Sequence, residues 1–224
     1  MIVPNPVRIF HITAIANLPS IAKAKALLAT TEVAKKKIVC QSIAYQSIQG
    51  RRALKMVARP PGGVLHDYVP FYFAPRSPML FTINSGNVPS CPYRQTHIVH
   101  LATTVDLVTA NGLTFVFYDH NATLGIAACY NNLNDLDKID WPLFHEQPQL
   151  DGYCKYWQNR YDDTRYIKRM ETRQAEFLVH RGVPLTLIQT VGTYDNGTAD
   201  QVREVFKTAG VLLNVEAKPE WYFS

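Results

Sequence analysis

An α+β fold is predicted for this 224-residue chain by three features. Short apolar runs with strand spacing recur at residues 7–13, 96–101, 113–118 and 173–180. Helix signals fall between them: Asn17 with Pro19 close behind, Pro78, and the turn Asn196-Gly197-Thr198 that leads to Gly210. The two kinds of element do not alternate regularly, which argues against a parallel α/β sheet. The balance is globular, with 47% apolar and 18% charged residues, and the length supplies one full core rather than two. A single domain over 1–224 is the expectation.

Composition bounds the function classes. No apolar run approaches the ~18 residues of a membrane span, and the N-terminus lacks the basic-then-apolar design of a signal peptide. Cys40, Cys91, Cys129 and Cys154 are scattered, with no Cys-x-x-Cys pair. That reads as a reduced, cytoplasmic chain with free thiols, and it argues against a zinc site. A formal net charge of +5 permits a polyanionic partner such as nucleic acid without requiring one.

Taken in order, residues 7–13 form a strand that ends at His11-Ile12-Thr13. A helix follows, with Ile15, Leu18, Ile21, Leu27 and Leu28 on its apolar face. Residues 30–37 are polar and basic and read as an exposed loop. Gly50-Arg51-Arg52 joins a close-approach glycine to the side chain best shaped for phosphate. Pro60-Pro61-Gly62-Gly63 is a turn. Residues 64–79 are dense in aromatics, and their three prolines argue against a central strand. His66 and Arg76 are the members of this segment expected to touch something bound. Pro78 starts a helix through Asn84, residues 104–110 form another, and Asn121 caps a third over 122–129. Asp135, Asp137 and Asp140 are interleaved with Leu and Lys, the pattern of a solvated helix face rather than a metal site. The last helix ends at Gly210, with Val202, Val205 and Phe206 inward, and residues 211–215 form a final strand.

Between Pro148 and Tyr166, tyrosines and Trp157 alternate with Lys155, Arg160 and Arg165. Cations that follow a backbone and rings that stack on bases suit single-stranded nucleic acid. A loop anchored by its own tyrosines accounts for the same pattern. The segment runs straight into Arg173-Gln174-Ala175-Glu176-Phe177-Leu178-Val179-His180. Here Glu176 opens an apolar strand, where a buried charge costs several kcal/mol, on the order of 3–5, unless it is paired or used. Either it meets solvent or Arg173, or it is a carboxylate held rigidly at a cleft.

Four pieces stand in order: His11-Ile12-Thr13, the segment from Ser42-Ile43-Ala44-Tyr45 to Arg51-Arg52, the stretch Gly62-Gly63-Val64-Leu65-His66-Asp67-Tyr68-Val69-Pro70-Phe71-Tyr72-Phe73, and Arg173-Gln174-Ala175-Glu176-Phe177. Together they resemble the DarT family, DNA ADP-ribosyltransferase toxins of bacterial toxin–antitoxin systems, over essentially the whole chain. The resemblance implies an ADP-ribosyltransferase-like split, mixed β-sheet with a central NAD cleft and flanking helices. It implies transfer of ADP-ribose from NAD to a base in single-stranded DNA, most often thymine, with release of nicotinamide and no metal. By the same resemblance His11, Ile12, Thr13, Ser20, Leu28 and Arg52 bind NAD, and Arg52 and Glu176 are catalytic. A macrodomain antitoxin is the implied partner. Alternatives are another acceptor (guanine, RNA, protein or water) and a non-catalytic nucleic-acid-binding module.

Overall fold

The computed structural model describes residues 2–89, 91–156 and 161–224. Its twelve strands are β1 (Arg8–Ala14), β2 (Ala26–Leu28), β3 (Tyr68–Tyr72), β4 (Ile98–Thr104), β5 (Phe115–Tyr118), β6 (Cys129–Tyr130), β7 (Gln149–Leu150), β8 (Tyr153–Cys154), β9 (Glu176–His180), β10 (Gly182–Pro184), β11 (Thr190–Thr193) and β12 (Val215–Ala217). The helices are α1 (Leu18–Ala24), α2 (Thr30–Lys35), α3 (Gln46–Leu54), α4 (Pro78–Asn84), α5 (Val105–Ala110), α6 (Trp141–His145), α7 (Arg169–Thr172) and α8 (Asn196–Thr208). Eight strands form one mixed sheet in the order β12-β11-β4-β1-β3-β9-β5-β6. Neighbours are antiparallel except β11 and β12.

The sheet divides at its centre. β1 and β4 are paired along their whole length, from Arg8 opposite Thr104 to Ala14 opposite Ile98. On its other edge β1 meets β3 only at Phe10 opposite Tyr72. Continued outward, that register would set Ile12 against Pro70. Pro70 has no amide hydrogen, and its carbonyl accepts instead from the His11 ring, with Nδ1 2.8 Å away. N and C=O of one strand residue point the same way, so the missing donor faces β1, where the ladder stops. The prolines of residues 64–79 therefore do not exclude a central strand, as their number suggested. Pro70 lies in one, at the break, where its edge behaviour does no damage.

One large apolar cluster spans the sheet, with Phe71, Phe73, Phe117, Phe177 and Val179 of β3, β5 and β9 and the residue after β3 among its members on one face. A smaller one (Val57, Leu65, Tyr68, Val116, Tyr118, Ala122, Leu178) covers the region beneath β5 and β9. Alternate residues of β9 thus feed two cores, which is why nearly the whole strand is buried.

Other expectations give way to local chemistry. The first helix does not reach Leu27 and Leu28. It stops at Ala24 because Lys25 turns left-handed (φ 54°), and Ala26–Leu28 then pairs with β10. Residues 30–35 are helical, not a loop. α2 has no buried residue of its own; it is tied to its surroundings by Thr31, which donates to the His66 carbonyl, and steadied within by the Glu32–Lys35 pair at 3.0 Å. No helix forms over 122–129, since the backbone donors there serve carboxylates: Ala122 N–H bonds Glu176 and Ala128 N–H bonds Asp119. The last strand begins only at Val215, after an exposed Leu212. Asp135 and Asp137 lie on a 3-10 helix, Leu133–Lys138, and Lys138 bonds Asp137. Among the described residues no group of three His, Cys, Asp or Glu could hold a metal ion. Nor, among them, is any helix long and apolar enough to cross a membrane.

Candidate active site

β9 delivers Glu176 from an apolar ribbon, and its side chain is 3% exposed. In register it stands between Tyr72 of β3 and Tyr118 of β5, so the three side chains share one face of the sheet. The partner of the acid is Arg52, not Arg173. One guanidinium nitrogen, Nη1, spans both carboxylate oxygens at 2.8 and 3.1 Å. The backbone N–H of Ala122 donates to Oε1 at 3.2 Å. The buried carboxylate thus has both an arginine and a backbone amide as hydrogen-bond donors.

Arg52 comes from α3, a helix with little apolar face, whose one buried residue is Arg52 itself. Its neighbour Arg51 points to solvent, which separates the roles of the paired arginines. The second nitrogen of Arg52, Nη2, is buried and has no acceptor among the described residues. A permanently charged donor without a partner, next to a fixed acid, fits a bound anion or carbonyl oxygen. His66 lies close enough for the Arg52 charge to depress its pKa, although burial contributes more, and its Nε2 meets Gln49 Oε1 at 2.9 Å. The Tyr72 hydroxyl has no protein partner among the described residues. Burial first and the charge of Glu176 second raise its pKa, so it stays a neutral donor. Tyr118, also raised by burial, sits against Cys129.

His11 reaches this constellation through β3. It bonds the Pro70 carbonyl, and Pro70 is two residues, roughly 7 Å, from the Tyr72 that faces Glu176. With the carbonyl accepting, Nδ1 carries the hydrogen. Burial lowers the His11 pKa, so the ring is neutral and Nε2 is left as an acceptor. Ile12 and Thr13 are buried beside it. Thr13 Oγ1 accepts from the Asn17 amide, which also clasps the backbone of Gln41 by two bonds of 2.9 and 2.7 Å. That clasp holds residues 38–45 near the end of β1. Asn17, read as a helix cap, makes no side-chain cap bond because its amide is used here. Ser20 and Leu28 are half-buried on α1 and β2. Ser20 donates to the Val39 carbonyl at 3.2 Å, and neither meets Glu176 or Arg52.

The remaining expectations divide. Arg76 is 2% exposed and bonds the carbonyls of Tyr153, Cys154 and Glu220, so it is structural rather than open to a ligand. The aromatic and basic segment is mixed: Tyr153 is core, whereas Tyr156 and Tyr161 are 44% and 87% exposed. Trp157 and Arg160 lie outside the described residues. Sequence reasoning missed the Ala122 amide, a backbone group with no signal, and the bond from Asn121 to Gln174 that steadies it. Two hollows, one beside α1 and α8 and one of about 170 Å³ near Trp141 and Tyr153, are not lined by Glu176, Arg52 or His11. The polar constellation, not either of these hollows, locates the chemistry.

Comparison with known proteins shows the family and the fold. The family described as "ssDNA thymidine ADP-ribosyltransferase, DarT" matches residues 10–223. A DNA ADP-ribosyl transferase of Thermus sp. (strain 2.9) is 38% identical over 98% of this chain and 98% of its own length. The solved structure of Thermus sp. 2.9 DarT in complex with ADP-ribosylated ssDNA is similar with a TM-score of 0.86 and 35% identity, over 100% of this chain and 99% of that one. The same protein in complex with NAD+ gives a TM-score of 0.83 at 33% identity, over 99% and 100% of the two chains.

Proposed function

The chain belongs to the DarT family, and from that premise we propose that Glu176 and Arg52 are the catalytic pair of an NAD-dependent ADP-ribosyltransferase acting on a base, thymine, in single-stranded DNA. The observation that carries the assignment is the buried ion pair beside the break in the sheet, with Arg52 Nη2 still free to bond. His11, Ile12 and Thr13 bind NAD at the end of β1, and Ser20 and Leu28 contact it from α1 and β2. NAD is a co-substrate. The enzyme works where DNA and NAD are found together, in the cytoplasm.

In the reaction the bond from the ribose carbon to nicotinamide breaks and nicotinamide leaves neutral. The sugar passes through an oxocarbenium-like state. Glu176 stabilises that charge by its fixed field and by accepting a hydrogen bond from a ribose hydroxyl, an effect worth roughly 3–4 kcal/mol in a site sheltered from water. A ring nitrogen of the base then bonds the sugar carbon, and its proton passes to solvent water. Arg52 is not the acceptor of that proton, because a guanidinium stays protonated. It orients the base or the diphosphate. A base inside a duplex is out of reach, so a single strand or an extruded base is required.

Labelled NAD should mark a single-stranded oligonucleotide, and nucleoside mass spectrometry should find ADP-ribosylthymidine. Glu176→Gln should lower labelling by about 10²–10³-fold with a normal circular dichroism spectrum. Undiminished labelling by that variant removes the mechanism, and a modified guanine removes the base assignment alone. The macrodomain antitoxin expected from the resemblance would act on the product or block the cleft, and co-expression tests it.

A further inference from the structure

Charge is divided unevenly along the chain. Residues 1–66 hold ten of the 23 Lys and Arg and a single acid, Glu32. Residues 67–224 hold 13 bases against 17 acids. The net charge of +5 thus joins a strongly basic first third to a slightly acidic remainder, an asymmetry that points to a polyanionic partner. Part of the basic surplus folds into one surface. β2 and β10 form a short ladder, with Leu28 opposite Gly182 and Ala26 opposite Pro184. The Ala29 N–H donates to the Arg181 carbonyl at 2.8 Å, and the Leu185 N–H donates to the Lys25 carbonyl at 2.9 Å. Arg181 therefore stands at one end of the ladder and Lys25 at the other, roughly 13 Å apart along the backbone. α2 leaves from Ala29 and ends at Lys35, with Lys36 and Lys37 directly after it. Glu32 sits among these cations. The bond from Lys35 first, then the charges of Lys35, Arg181 and Lys36, hold its carboxyl below the usual range.

Two observations separate this surface from ordinary solvated lysines. Lys23, Lys25, Lys36, Lys37 and Arg181 are exposed, and among the described residues none has a carboxylate within ion-pair distance; the acid at hand, Glu32, is taken by Lys35. Three of these cations also occupy left-handed backbone: Lys25 at φ 54°, Lys37 at φ 53° and Arg181 at φ 64°. Among the described residues four non-glycine positions have a positive φ, and Asp151 is the fourth. Glycine or asparagine enters that region more easily than a long side chain does. The helix dipole does not explain the choice, because Lys23 and Lys35 already put a cation in the last turn of α1 and of α2. A backbone that bears strain to keep a charge points to a use for that charge.

Building on the reading of the chain as an enzyme of single-stranded DNA, we propose that Lys23, Lys25, Lys36, Lys37 and Arg181 form a track for the phosphate backbone of that strand, apart from the base that is modified. A single strand presents a run of phosphates whose attraction needs no base readout. Lysines on flexible stems suit it, since point charges can follow a backbone through many conformations. The track is separate from Glu176, Arg52 and the His11 turn, and it draws nothing from residues 148–176. It adds affinity for long strands without touching the reacting atoms.

The test measures binding of fluorescent oligonucleotides by anisotropy over a salt series, with calorimetry for NAD. Lys25→Asn, Lys37→Asn and Arg181→Asn together remove three charges and leave side chains that accept left-handed backbone. For a strand of about 30 nucleotides the Kd should rise about tenfold at low salt, and the slope of log Kd against log salt should fall by about 2, three phosphates at about 0.7 each. A strand of about 6 nucleotides centred on thymine should bind within about twofold of the unaltered protein, and so should NAD. Lys25→Arg, Lys37→Arg and Arg181→Lys together keep the charges and should bind the long strand normally. An unchanged Kd for the long strand in the first variant overturns the proposal and leaves the surface to another partner, such as an acidic protein. Equal weakening of long and short strands, or a parallel loss of NAD, overturns it too. Should the triple variant not fold, Lys23→Gln with Lys36→Gln, two exposed positions in right-handed backbone, should weaken the long strand about threefold and lower the slope by about 1. No change there also overturns it. Binding is read without catalysis, so a protein that shows this pattern yet labels no oligonucleotide loses the enzymatic reading and keeps the track.

Discussion

The two sides of the break between β1 and β3 treat buried polar groups in opposite ways. On the side of β4, β11 and β12 such groups are spent on backbone. Thr103 donates to the Leu187 carbonyl at 2.6 Å, and Tyr222 donates to the carbonyls of Ile98 and Gly192. His100 meets the Pro75 carbonyl at 2.9 Å. On the side of β3, β9 and β5 an acid faces an arginine that keeps a spare donor, and the buried Tyr118 hydroxyl has no hydrogen-bond partner among the described residues. The first side turns most of these groups onto its own backbone, His100 Nδ1 alone of them left without a partner among the described residues, and serves as scaffold. The second retains unused bonding capacity, which is what a site for a polar ligand needs.

Changes on the second side should abolish activity, and changes on the first should alter stability alone. The largest effect is expected from Arg52→Met: transfer falls by more than about 10²-fold, and unfolding free energy drops by about 3–5 kcal/mol because Glu176 stays buried with only an amide for company. Adding Glu176→Leu to that variant should restore the stability and none of the activity, read by urea titration beside labelled transfer. Next comes pH dependence on the scaffold side. His100 is held at about 4 by burial, against an ordinary value of 6.5. The folded state therefore binds fewer protons between those values. The stability present above pH 6.5 is lost as pH falls towards 4, about 3 kcal/mol in all. His100→Gln should flatten that slope in denaturation series at stepped pH. Gly192→Ala would set a methyl 2.3 Å from the Trp221 ring. About 1–3 kcal/mol of stability should go, with activity per folded molecule intact. The smallest effect is expected from Gln174→Ala, which frees Asn121 and the Ala122 turn. Transfer should drop about fivefold, about 1 kcal/mol, with an unchanged melting temperature.

Much of this contrast was legible from the residues. Strands with period-two patterns were found at β1, β4, β5 and β9, and helix α4 was found by its starting proline. The misplaced acid in an apolar run marked Glu176, and its pairing with Arg52 needed the resemblance, since 124 residues separate the two. What escaped reading was decided at a distance. Lys25 adopts a left-handed turn without glycine. Residues 122–129 lose a helix to two carboxylates. Pro70 sits mid-sheet because a neighbour's imidazole answers its carbonyl. Each depends on a partner that local pattern cannot name.

That proline has a consequence for the resting enzyme. Lacking a hydrogen to offer, β3 cannot zip to β1 beyond Tyr72, whatever the solvent or temperature. The split is therefore set at folding, and a ligand lodged between these two strands would break no backbone bond there. A valine in its place would hand the sheet a means of sealing itself, and the ligand a competitor made of its own host.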